Sequence, residues 1–124
     1  MTEDEKGYNG WKNYETWVTC LWFDNDQGTN ELWNTRAEEI YSESSATDYS
    51  SRMDVASSTL AKEMQDYVEE FNPVPACGLY ADLLNSAISE VEWYDIAEHY
   101  LNEVDEIAVE AQEQWDKDNI TSKD

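Results

Sequence analysis

Three kinds of side chain in this 124-residue chain have chemistry to offer: Cys20 and Cys77, the single histidine His99, and 29 aspartates and glutamates. A zinc centre takes about four ligands from Cys, His and carboxylates. On that count His99 becomes a ligand only if Cys20 and Cys77 converge on it. Neither cysteine lies in a C-x-x-C pair, so the sequence predicts no metal site. Asp24, Asp26 and Asn30 surround Gly28 in a stretch that superficially resembles a calcium loop. An EF-hand loop needs glycine at its sixth position and a bidentate Glu at its twelfth. Counted from Asp24, glycine falls fifth and the twelfth residue is Thr35, so the stretch reads as a helix-stopping turn with glycine. The chain has no G-x-S-x-G, no P-loop, no G-x-G-x-x-G and no H-E-x-x-H. Carboxylates are so numerous that no acid/base pair stands out. The expected protein is not an enzyme and holds no cofactor and no metal.

The carboxylates therefore matter in aggregate. Only seven Lys and Arg oppose them, and the formal charge is −22. Such a field disfavours nucleic acid and anionic membranes as partners, and draws a basic protein from long range. The acidic start Met-Thr-Glu-Asp-Glu is unlike a signal peptide, and no apolar run approaches spanning length. The expected location is the cytoplasm of a host cell, with thiols reduced. Between Glu63 and Asp118 lie sixteen acids and one base, Lys117. Glu92, Asp95, Glu103, Glu106, Glu110 and Glu113 recur largely at three- and four-residue steps, which places helical neighbours about 5–6 Å apart. A DNA strand presents one phosphate per roughly 3.4 Å of axis, so an acidic ridge approaches the charge spacing of a phosphate backbone. These six residues are the expected partner-binding surface. Two plainer readings stand beside it: an ordinary solvated face, and a halophile-type acidic domain of housekeeping or regulatory role whose charge serves solvation only.

Helices must position these groups. Asn13 is a good N-cap with Glu15 in the first turn. Tyr14, Trp17, Val18, Leu21 and Trp22 then follow the i, i+3, i+4 pattern and predict one inward face. Thr29 or Asn30 is the expected cap of a second helix, with Leu32, Trp33, Ala37, Ile40 and Tyr41 inward. The polar stretch 42–52 links it to a third, carrying Met53, Ala56, Leu60, Met64, Tyr67, Val68 and Phe71. "NPVPACG" ends that helix, since two prolines cannot continue it. Leu79, Tyr80, Leu83, Leu84, Ala87 and Ile88 predict a fourth. A fifth runs from Trp93 to Trp115, some six turns and roughly 35 Å, with Trp115 inward. No stretch alternates with period two. The fold class expected is all-α: a compact bundle of about five helices around an aromatic-rich core. The expected organisation is a flexible lead-in over residues 1–12, a single helical domain over 13–116 and a flexible tail over 117–124.

Three stretches carry a resemblance. Asn13 to Trp17 reads N-Y-E-T-W, Leu21 to Asp26 reads L-W-F-D-N-D, and Trp93 to His99 reads W-Y-D-I-A-E-H. They resemble motifs of a family of small proteins found in phages, plasmids and microbial genomes. That resemblance implies a mobile-element origin and no particular activity. In charge and size, though in no motif, the chain is also similar to antirestriction proteins and CRISPR inhibitors that imitate DNA. The expected function is that of an acidic DNA mimic, which blocks the nucleic-acid-binding surface of a host defence protein such as a restriction enzyme or CRISPR effector.

Overall fold

Asn13 starts the first helix as its residue type predicts: its Oδ1 accepts from the Thr16 N–H at 2.9 Å. The computed structural model describes residues 8–104 together with Gln114, Trp115 and Lys117, and arranges residues 14–101 into five helices. These are α1 (Tyr14–Asn25), α2 (Gln27–Glu43), α3 (Arg52–Glu70), α4 (Leu79–Ser89) and α5 (Trp93–Leu101). Among the described residues there is no strand, and the one extended pairing is an isolated antiparallel bridge between Tyr8 and Trp11. The all-α expectation therefore holds.

The α1–α2 junction differs from the expected glycine stop. Asp26 alone separates the helices, in an extended conformation (φ −94°, ψ 118°). Its N–H donates to the Trp22 carbonyl at 3.1 Å, closing α1, while its Oδ1 accepts from the Thr29 N–H at 3.0 Å, opening α2. A single residue caps both ends, and Gly28 falls inside the first turn of α2. At the other loops the expectations fit. Ser51 caps α3 through the Asp54 N–H, and the proline stretch separates α3 from α4. Gly78 precedes α4 at φ 115°, a backbone region where a residue with a Cβ is strained.

The core is built by α3 and α5 packed on each other, with α2 against both and α1 against α2 and α5. Trp33, Ile40, Leu60, Met64, Ile96 and Leu101 are fully buried. Aromatic rings join the layers: Phe23 lies 5.5 Å from Trp33, Trp33 lies 5.3 Å edge-on to Tyr67, and Tyr67 lies 4.8 Å from Phe71. Each ring removes a large apolar area from water per position, which suits a small domain whose surface charges repel.

Four expectations about inward faces are corrected. On α1 the buried residues are Thr16, Cys20 and Phe23, not the Tyr14–Trp17–Leu21–Trp22 stripe, and Trp22 is 71% exposed. The physical reason lies in the turn before α5. There the Thr16 hydroxyl accepts from the Glu92 N–H at 2.9 Å and Asn13 Nδ2 donates to the Glu90 carbonyl at 2.8 Å, which turns that face of α1 inward. On α4, Leu79, Tyr80 and Leu83 are exposed and Ala81 alone is buried; Phe71, at the end of the α3 stripe, is also exposed. Helix α5 ends at Leu101, although the apolar pattern runs on. The N–H groups of Glu103 and Val104 turn back to the carbonyls of Tyr100 and Leu101, three residues earlier, tightening the chain out of the α-helical ladder. Trp115, expected in the core, is helical and 59% exposed.

Candidate partner-binding surface

The acids singled out by the sequence sit at different levels of the fold. Glu92 occupies the N-cap position of α5, and its carboxylate lies 3.4 Å from the Lys12 ammonium. Asp95 is exposed in the first turn of α5, where a negative charge suits the helix dipole. Glu103 is exposed in the turn beyond the helix end. Glu106, Glu110 and Glu113 lie outside the described residues. Glu92, Asp95 and Glu103 thus do not stand on one uninterrupted helical ridge.

The charge is spread over every helix instead. From residue 8 to 104 the chain has nineteen acids and four bases. All four bases already hold acceptors within the molecule. Arg36 grips Glu63 through two parallel bonds of 2.9 and 2.7 Å and reaches Glu39 at 2.6 Å, which raises the guanidinium pKa further. Lys62 bonds Asp66 at 2.8 Å, and that hydrogen bond raises its pKa. Arg52 donates to the Tyr41 carbonyl at 2.9 Å and lies 4.2 Å over the Tyr41 ring. With Lys12 held by Glu92, the remaining carboxylates form a field of one sign.

The structure also places apolar residues where the sequence reading did not. The N-terminal half of α1, the end of α3 and the half-buried side of α4 enclose a groove of about 490 Å³. Tyr14, Val18, Phe71, Leu84 and Ile88 line it, with Glu15 at its edge. The sequence of α1 offers two faces, Thr16–Cys20–Phe23 and the more apolar Tyr14–Trp17–Leu21–Trp22, and its pattern favours the second as the inward one.

A second convergence joins α1 to α5. Cys20 Sγ, an Asp24 carboxylate oxygen and a His99 ring nitrogen all lie within 4.8 Å of one another. The Cys20 thiol is buried and donates to Asp24 Oδ2 at 3.7 Å, while the Tyr100 hydroxyl donates to Asp24 Oδ1 at 2.5 Å. Burial, with the adjacent Asp24 carboxylate, pushes the thiol up to about 12, and burial with the Asp24 bond pushes the Tyr100 phenol well above its usual value. Trp11 packs its ring edge-on to His99 at 5.5 Å, above a cleft shared with Lys12, Asp95 and Asn102. Cys77, the partner that the sequence reading required, is exposed in the loop before α4.

The stretches that carry the sequence resemblance therefore meet in space: α1 contributes Asn13, Thr16 and Asp24, and the region around α5 contributes Glu92, His99 and Tyr100. Among known proteins, no curated protein and no solved structure matches the chain. A family model does match, over residues 4–117, and by that match the chain belongs to the Family of unknown function (DUF7249).

Proposed function

We propose that this protein is a non-enzymatic inhibitor from a mobile element, which works inside a host cell by occupying the nucleic-acid-binding surface of a basic defence protein. A restriction enzyme or a CRISPR effector fits that description. The observation that carries this reading is the charge excess of the described region, in which every base already has a partner. Such a surface attracts a cationic groove over long range and competes with a phosphate backbone for it. No helix among the described residues is long and apolar enough to cross a membrane, which fits a protein partner. Charge alone steers more than it discriminates; interfaces draw most of their energy from a few apolar or aromatic anchors. The groove between α1, the end of α3 and α4 offers a place for one apolar side chain of the partner.

The test is capture of the partner from a host lysate, followed by competition with duplex DNA. DNA and this protein are expected to exclude one another, and affinity to fall steadily with salt. Asp95→Asn, Glu103→Gln, Glu106→Gln and Glu110→Gln together should weaken binding and make its salt dependence shallower, because fewer ionic contacts remain. Full affinity in that variant, with DNA and protein bound at once, would refute mimicry and leave the acidity to solvation.

A further inference from the structure

We infer that Cys20, Asp24 and His99 form a binding site for one divalent transition-metal ion, with zinc the best match. The three groups offer sulfur, oxygen and nitrogen, the donor set that zinc takes from proteins. Cys20 and Asp24 stand one helical turn apart on the same face of α1, and His99 comes from α5. Two ligands on one tetrahedral ion lie about 3.5 Å apart, given metal–ligand distances of roughly 2.0–2.3 Å. The Cys20–Asp24 separation of 3.7 Å is already close to that figure. The whole set lies within 4.8 Å, so His99 must close on the other two by about an ångström when the ion binds.

Asp24 stands at the surface with the Cys20 thiol beneath it, and neighbouring side chains hold the set. Tyr100 fixes one Asp24 oxygen and leaves the other for the ion. Rings on two sides, Trp11 and Tyr100, each 5.5 Å from His99, set the plane of the imidazole. The thiol is buried with a carboxylate as its hydrogen-bond partner. Binding is a simple exchange: the Cys20 S–H bond breaks, its proton leaves to solvent, and the thiolate bonds the ion. Thiolate and Asp24 together neutralise the divalent charge. Three protein ligands leave a fourth position for water or for an incoming side chain. Since α1 and α5 both supply ligands, the ion clasps the two helices together. The site stands independently of the partner-binding proposal.

The experiment titrates chelator-treated Cys77→Ser protein with Co²⁺ and then Zn²⁺. Removing Cys77 keeps its exposed thiol from answering for the site. We expect a thiolate-to-cobalt charge-transfer band that saturates at one ion per chain and disappears on adding zinc. Zinc at a hundredfold excess over its Kd should raise Tm by several degrees. His99→Gln should keep the metal-free Tm while lowering affinity for either ion at least tenfold, and Asp24→Asn should lower it similarly. Absence of the charge-transfer band, an unchanged Tm in zinc, or a His99→Gln affinity equal to that of the parent overturns the assignment. It would leave Cys20, Asp24 and Tyr100 as a hydrogen-bonded network only.

Discussion

Two tryptophans separate the observed rotation of α1 from the one its sequence pattern predicts. Trp33 is 2% exposed and meets Phe23 and Tyr67 through its ring, whereas Trp22 is 71% exposed on the outer stripe of α1. Truncating a core tryptophan costs roughly 3–5 kcal/mol, from lost transfer energy and the cavity left behind. For a domain of this size that is a Tm drop of roughly 10–20 °C. An exposed residue away from special features stays within about 0.5 kcal/mol, a shift of about 2 °C or less. Trp33→Phe adds a control. Among the described residues the buried Trp33 Nε1 has no acceptor, and an unsatisfied donor costs about 1–3 kcal/mol. Phenylalanine removes that donor along with part of the ring, so Trp33→Phe should cost much less than Trp33→Ala. The assay is thermal and urea unfolding of the three variants followed by far-ultraviolet circular dichroism. Equal large losses for Trp22→Ala and Trp33→Ala would mean that the outer stripe of α1 faces the core, and that the Thr16–Cys20–Phe23 packing described above is wrong.

Other predictions follow from single contacts. Thr16→Val should cost about 1–3 kcal/mol in urea unfolding, because the Glu92 N–H loses its buried acceptor while side-chain volume is kept. The Tyr94 hydroxyl, with Ser51, holds the Asp54 carboxyl below the usual carboxylate range. Its contribution is present at neutral pH and is lost as pH falls through that lowered value, so Asp54→Asn should flatten the acid limb of a stability–pH curve. Arg36→Lys should loosen α2 from α3, since a lysine cannot reproduce the paired bonds to Glu63; a loss of about 1 kcal/mol in urea is expected, with little change if the pair is merely solvated. Added NaCl should raise Tm by screening repulsion among the acids, yet the protein should stay folded in dilute buffer. Unfolding there would favour the salt-adapted reading of its acidity.

Where the sequence was legible, one physical cause acted alone. Asn13 has a capping side chain and no competing role, and it caps. The α3 stripe from Met53 to Val68 has a single apolar side, and that side is buried or half-buried. Helix α1 departs from its pattern because two faces compete, and the more apolar one stays outside. What decides is a pair of hydrogen bonds to Glu90 and Glu92, which no local pattern reveals. The end of α5 was hidden for a related reason: apolar periodicity continues past Leu101, so the turn at Asn102–Val104 leaves no break in the pattern. Two of the three residues of the Cys20–Asp24–His99 cluster are legible together, since Cys20 and Asp24 have the spacing of neighbours on one helical face. His99 arrives by the packing of α5, which the spacing does not encode.

Helix α4 stands apart from the four helices that share the core, joined to them through little more than Ala81 and the groove wall. Its backbone amides should consequently exchange with deuterium through a local opening far cheaper than global unfolding. The stretch from Asn72 to Ser89 then behaves as an insert between α3 and α5. Lengthening or shortening a flexible connection twofold changes closure entropy by only about 0.6 kcal/mol. Evolution, or an engineer, is free to exchange that segment while the aromatic interior stays in place, so variation among family members should concentrate there.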